Sequence, residues 1–370
     1  MTKRLKEIHE YVNQLSIDIP DSNVRLAAKG HSCCVSSCCV MLALHRGLDP
    51  ELAAVSGLLH DIYRYKTGIS IYHGHNGAEM ARVVLKRAKN YFSESEKEII
   101  LSAIFHHGEK TDVHGDYDEV LKDADTLSPI LYSGGINHDD ASLYQFGRGE
   151  RLAKMAGELN LPIDIPYFEE SIKNAKTKPT NKRLLLADAA ERLAGASITG
   201  SRQNDAYMNL IRYWPEDNAF DELLNGWCAA FVYHCCQEAG ILLPIKWPTE
   251  DVRFAGVAPW NTWARRMGYF IKDEPGTIPQ RGDIVLYRNS ILPENKLEEH
   301  RHIPIDHIGV FLSSGGGYFT VAEGNVNNQN VSGILSRPLH HNVEGYIRID
   351  DSFVYGNWKF DYKTKTENIS

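Results

Sequence analysis

Over residues 3 to about 173, apolar residues recur mostly at intervals of three and four, the spacing that lines one face of an amphipathic helix. Ala53-Val55-Leu58-Leu59-Ile62 and Met80-Val83-Val84-Leu85 are examples, and strand-like alternation is scarce over this stretch. Residues 174–182 are polar, basic and interrupted by Pro179, which predicts a linker or an exposed loop. Beyond them, residues 183–198 have a helical pattern, and a second helix is predicted over 227–239 with Gly240 as its stop. The pattern then changes. Residues 283–287, 307–312, 318–322 and 345–349 are short β-branched and aromatic runs split by Gly, Pro and Asn, as strands are.

The chain therefore reads as multidomain, an all-α part followed by an α+β part. The predicted divisions are 1–173 for the helical domain, 174–182 for the linker, 183–352 for the second domain and 353–370 for a polar tail, with residues 358–370 expected to fray. A length of 370 residues independently points to about two domains. The apolar share of 43% and charged share of 24% are those of folded protein. No internal repeat or low-complexity tract interrupts this pattern.

Charge and cysteine usage narrow the classes of function. A formal charge of -8 argues against a general nucleic-acid binding surface, while leaving room for a nucleotide held by a metal. Met1 to Lys6 is charged but is followed by polar sequence through Asp21, which predicts no signal peptide. No run is expected to reach the ~20 apolar residues of a membrane span, so no membrane partner is predicted and the expected location is the cytoplasm. Six of the seven cysteines sit in adjacent pairs, Cys33-Cys34, Cys38-Cys39 and Cys235-Cys236, a poor disulfide framework that suits a reducing compartment. Cys34 and Cys38, one helical turn apart, have the spacing for a soft metal, but packing against neighbouring helices is the preferred reading. Cys228 stands apart from the pairs.

The helical half offers His31, the pair His60-Asp61, His75, the pair His106-His107, and Asp125. Imidazole and carboxylate are the ligands first-row divalent metals take from proteins, and helices that each contribute one or two such groups build metal sites inside bundles. His60-Asp61 closes an apolar run, so both side chains are expected near the core, where a carboxylate needs a partner. His9, His45, His73 and His114 are read as structural or exposed. Gly30-His31, Leu58-Leu59-His60-Asp61 and the run Lys122-Asp123-Ala124-Asp125-Thr126-Leu127 resemble the three signatures of the HD superfamily. The resemblance implies a metal held by His31, His60, Asp61 and Asp125, with Asp123 as the alternative for the last place. His75, His106 and His107 are similar to the extra ligands of two-metal members, in which Asp61 would bridge. It implies one or two divalent ions (Mn, Fe, Zn, Co or Ni not being separable) and a phosphorylated small-molecule substrate. A minority branch similar to myo-inositol oxygenase uses two irons and oxygen instead.

In the second half, Cys228 opens a predicted helix, where the macrodipole stabilises thiolate. A nucleophilic thiol needs a base near it in space. His307 begins a strand-like run, and Glu323-Gly324-Asn325 follows the next one, placed to orient a histidine. His300 and His302 are read as solvated. Trp247, Trp260, Trp263 and Tyr269 line either a substrate groove or the core. The blocks Gly226-Trp227-Cys228-Ala229, Arg281-Gly282-Asp283-Ile284, His307-Ile308-Gly309-Val310 and Glu323-Gly324-Asn325 resemble, in order, CHAP-type amidases of the papain-like class. This resemblance implies an antiparallel sheet, Cys228 as nucleophile, His307 as base, and Glu323 and Asn325 as orienting or oxyanion-supporting groups on an amide or peptide substrate. Gly282-Asp283 is expected to be a structural turn. Together the two resemblances predict a bifunctional hydrolase. Its rivals are a small-amide amidase, similar to glutathionylspermidine amidase, with a regulatory HD part, and a non-catalytic scaffold.

Overall fold

The computed structural model describes residues 1–88, 91–133, 147–160, 181–224, 226–246, 253–296, 298, 303–353, 358–361, 364 and 366–369. The chain divides into two compact units, Met1–Ala175 with Tyr362–Thr364, and Lys176–Asp361 with Lys365–Ser370. Residues 174–180 of the expected linker lie outside the described residues.

The first unit is helical: α1 (Lys3–Ile17), α2 (Ser22–His45), α3 (Pro50–Leu59), α4 (Ile62–Thr67), α5 (His73–Arg87), α6 (Glu94–His106), α7 (Asp116–Ser133) and α8 (Arg148–Leu159). Polar side chains start α1, α2, α3 and α6 by taking backbone N–H groups that have no partner in the first turn. Asp21 accepts from Asn23 and Val24, Asp49 accepts from Glu51 and Leu52 ahead of Pro50, and Ser93 with Glu96 forms a capping box. Helix α3 is apolar all round and buried from Leu52 to Leu59, which makes it the axis of the unit. Gly57 lets α2 cross it closely, because a Cβ there would lie 2.7 Å from Ser36 Cα. Contrary to the sequence reading, α2 is long and apolar enough to cross a membrane by length and composition. In the fold its Val35, Cys38, Cys39, Leu42 and Ala43 are buried, and it packs on α3 and α7.

The second unit has α9 (Lys182–Gly195), α10 (Asp205–Ile211), α11 (Ala219–Leu223), α12 (Cys228–Glu238) and α13 (Val257–Arg266), followed by β1 (Phe270–Lys272), β2 (Ile284–Arg288), β3 (Ile305–Gly315), β4 (Tyr318–Glu323), β5 (Gly333–Pro338) and β6 (Val343–Ile347). These strands form an antiparallel sheet in the order β1-β6-β2-β3-β4-β5. The layout of a helical unit followed by an α+β unit is the one the pattern predicted. Helices α9 and α12 pack on β3 and β4. Trp260 and Trp263 are fully buried against Phe254, so they belong to the core and not to a groove. Trp247 lies outside the described residues. The tail departs from expectation: β7 (Trp358–Asp361) and β8 (Thr366–Ile369) pair antiparallel, Trp358 opposite Ile369 and Phe360 opposite Glu367.

Asp283 is buried and accepts from Arg348 through both oxygens, at 3.0 and 2.7 Å, and from the Gln280 amide at 2.8 Å. Asp283→Ala is expected to cost the unit about 2–3 kcal/mol, since the guanidinium and the amide lose a shared acceptor. Urea unfolding followed by tryptophan fluorescence checks this. All six tryptophans lie at or beyond position 214, so the signal reports this unit alone.

Candidate functional site

Four histidines and two aspartates converge in the first unit. His31 comes from α2, His60 follows the end of α3, Asp61 precedes α4, His73 begins α5, His107 follows α6 and Asp125 comes from α7. His31 Nε2 is 3.2 Å from His60 Nε2, 3.2 Å from Asp125 Oδ1 and 3.8 Å from Asp61 Oδ2. His60 Nε2 is 3.8 Å from Asp61 Oδ2 and 3.7 Å from Asp125 Oδ1. On its other side, Asp61 Oδ1 faces His73 Nε2 at 3.6 Å and His107 Nε2 at 3.8 Å. One carboxylate thus stands between two sets of imidazoles.

The backbone sets the direction of each ring. The Nδ1 atoms of His60, His73 and His107 donate to the carbonyls of Gly57, Ser70 and Ile104, at 2.7, 2.5 and 2.6 Å. Donation at Nδ1 leaves the lone pair on Nε2, the atom turned inward. Burial pushes His60 below the ordinary histidine range, against Asp61 and Asp125, and burial with His73 and His60 pushes His107 well below it. Burial opposes charge on Asp61 as well, but His60, His107 and His73 outweigh it and hold the carboxyl low. Asp125 is held well below its usual range, burial being overcome by Lys110 and His31. Asp61 Oδ1 and His107 Nε2 are buried with no hydrogen-bond partner. Orphaned acceptors of this kind are costly unless a cation meets them. Separations of 3.2–3.8 Å suit donors ~2.1 Å from a shared centre. The donor set fits divalent metal.

This arrangement corrects part of the sequence reading. His73, set aside as structural, lines the Asp61 site, and His75 and His106 do not. Adjacent positions on a helix diverge by about 100°, so only one of His106 and His107 can face Asp61, and His75 is turned about 200° from His73. His75 packs on Phe105, with Nε2 4.0 Å from Glu109. His106 gives Nδ1 to Asp118 at 2.7 Å and stacks on His114 at 3.9 Å. His106, Glu109 and His114 lie close enough together to hold an ion. However, Lys122 Nζ donates to His114 Nδ1 at 2.6 Å, which puts the His114 proton on Nε2, 3.2 Å from Glu109. That nitrogen is occupied. Asp123, the alternative ligand, is taken by Arg46 and Arg151. Lys110, which no local motif marks, binds Asp125 Oδ2 at 2.7 Å.

In the second unit, Cys228 is the first residue of α12, His307 lies on β3 and Glu323 ends β4, all buried. Glu323 sits across from Gly309, whose missing Cβ would fall 2.8 Å from Glu323 Cγ, so glycine leaves the carboxylate room beside His307. His307 Nε2 is 2.9 Å from Glu323 Oε2. Its buried Nδ1 has no hydrogen-bond partner, and Cys228 is close enough to favour the charged ring. Burial drives His307 down, but Glu323 and then Cys228 overcome this and raise it from 6.5 to about 10. Burial opposes charge on Glu323, yet His307 and Arg337 hold it at about 2. Burial pushes Cys235 well above the usual thiol range and Cys236 up too.

Asn325 does not reach the imidazole. It adopts φ 50°, its Oδ1 accepts from Asn330 N at 2.9 Å and its Nδ2 donates to Asn328 at 3.0 Å, so the amide is used up in ordering the loop. His300 and His302 lie outside the described residues. Arg337 was missed by sequence reasoning. It holds both oxygens of Glu323, at 2.7 Å each.

Comparison with protein families agrees with this geometry. The HD domain family model matches residues 29–130, and the CHAP domain family model matches residues 220–325. Comparison with curated proteins and with solved structures gives no match.

Proposed function

From an HD domain match followed by a CHAP domain match, we propose a bifunctional hydrolase. Its first site is a metal-dependent phosphohydrolase centre at His31, His60, Asp61 and Asp125, extended by His73 and His107. Its second is a thiol amidase or peptidase centre at Cys228, His307 and Glu323. The observation that carries the reading is the direction of the reactive nitrogens. Inward Nε2 atoms face Asp61 in one unit, and His307 meets Glu323 at 2.9 Å and interacts with Cys228 in the other.

A divalent ion, which His31, His60, Asp61 and Asp125 would hold together with His73 and His107, would supply Lewis acidity toward a phosphoryl oxygen and make water more acidic. Lys110 holds the outer oxygen of Asp125 so that the inner one faces His31 and His60. In the second site, the Cys228 thiolate attacks the amide carbonyl, and the C–N bond breaks as His307 gives its Nδ1 proton to the leaving amine. Water then attacks the thioester, its proton passing to His307, and the C–S bond breaks to give the acid and the Cys228 thiolate. Glu323 stabilises the imidazolium and fixes its plane, the part a carboxylate plays in a triad. All seven cysteines are free, which supports a reducing compartment.

The test uses the full chain. Release of phosphate from a panel of phosphomonoesters and phosphodiesters is measured with and without a chelator, and hydrolysis of a panel of amides with and without iodoacetamide. Chelation is expected to stop only the first activity and alkylation only the second. Activities indifferent to both treatments would contradict the assignment.

A further inference from the structure

We propose that Arg337 is a positioning residue of the thiol centre: its forked contact fixes the Glu323 carboxylate and neutralises the buried cluster, so that the site can hold Cys228 as thiolate and His307 as imidazolium. The inference rests on the thiol-amidase reading above.

Arg337 lies on β5, the edge strand, where its register partner on β4 is Phe319, while Glu323 pairs with Gly333. Its side chain must therefore run along the sheet to reach Glu323. There Nε meets Oε1 at 2.7 Å and Nη2 meets Oε2 at 2.7 Å. Oε2 is the same oxygen that faces His307 Nε2 at 2.9 Å. The carboxylate is thus held in one plane by three N–H donors. A lysine, a point charge without a fork, cannot set that plane.

The charge count makes the same point. Thiolate (-1), imidazolium (+1) and carboxylate (-1) sum to -1, and Arg337 brings the sum to 0. Glu323 and His307 side chains are 0% exposed and Arg337 is 19% exposed, so solvent supplies little of this compensation. Buried charge left without a partner is expelled by taking up a proton. The other groups facing the cluster do not replace the guanidinium. Tyr287 on β2 stacks on His307 at 5.8 Å and lies under Arg337 at 5.0 Å, adding no positive charge. Asp306, beside His307 on β3, is bound by Lys296 at 2.7 Å and by Ser290. Cys228 is the contribution of α12.

The experiment follows alkylation of Cys228 by iodoacetamide in the full chain from pH 4 to 10, reading the Cys228 peptide by mass spectrometry so that exposed Cys33 does not interfere. The midpoint belongs to the coupled cluster and not to one group. Arg337→Met is expected to move it up by about one unit and so to slow alkylation about tenfold at pH values well below the wild-type midpoint. Arg337→Lys is expected to return the midpoint to within about 0.3 unit of wild type while leaving the rate several-fold lower, because charge returns without the fork. Circular dichroism and melting confirm folding. If Arg337→Met does not fold, Arg337→Lys decides alone, and a wild-type rate and midpoint overturn the proposal. A folded Arg337→Met with wild-type rate and midpoint overturns it too, showing only a cross-link between β4 and β5. Wild-type Cys228 reacting no faster than a free thiol at neutral pH fails the amidase reading itself, whatever Arg337 does.

Discussion

Cys228→Ala is expected to lower amide hydrolysis by about four orders of magnitude or more, and His307→Ala to lower it about as much. The two side chains act as a unit. Sulfur without the imidazole has no acid for the leaving amine, and the imidazole without sulfur has no nucleophile to serve. The double variant should therefore be no worse than either single one, and kcat/KM on any amide the wild type cleaves gives the comparison. Additive losses would mean that the residues work separately. His307 and Glu323 together set a pH window for stability. His307 is raised from 6.5 to about 10, so its contribution is complete below pH 6.5 and is lost as pH rises through about 10. Glu323 is depressed from 4.5 to about 2, so its contribution is complete above pH 4.5 and is lost as pH falls through about 2. Melting followed by tryptophan fluorescence should be highest between pH 4.5 and 6.5, and Glu323→Gln should flatten the alkaline decline.

Both sites obey one constraint, that charge enters a protein interior only with a counter-charge or a full set of hydrogen bonds. That constraint separates what was legible in the sequence from what was not. His60-Asp61 could be found because an apolar run leads straight into it, and Cys228 because a helical pattern starts there. The strands β2, β3, β4 and β6 were visible as β-branched and aromatic runs. Strand β1 has three residues, and β5 contains Gly333 and Pro338 with alternate positions exposed, so neither carries an apolar run.

The missing site residues have a common cause. The choice of His73 over His75 depends on the rotation of α5 about its axis, which is set by packing and by the Ser70 carbonyl. Lys110 reaches Asp125 across 15 positions, and Arg337 reaches Glu323 across 14. Each is an ordinary surface cation in sequence, and the buried carboxylate it serves becomes visible only once the chain has folded. Asn325 shows the opposite error: a residue that fits an orienting role by position is drawn off by its own loop.

Asp61→Asn is expected to remove bound metal and phosphoester hydrolysis together, the affinity falling by about a hundredfold or more. Among the described residues Asp61 is the carboxylate that faces both imidazole sets, Oδ2 toward His31 and His60 at 3.8 Å, Oδ1 toward His73 at 3.6 Å and His107 at 3.8 Å. Asparagine keeps the shape but is neutral, and its NH2 group presents donors where a cation needs a lone pair. His107→Ala, by contrast, should lose metal only from the second set, because His31, His60 and Asp125 keep their mutual spacing of 3.2–3.7 Å. Elemental analysis of the purified full chain and both variants gives the stoichiometries, with circular dichroism to show that α3 and α4 still form. A folded Asp61→Asn protein carrying the wild-type complement of metal would show that Asp61 bridges nothing. Equal losses in the two variants would mean a single ion whose ligands include His107.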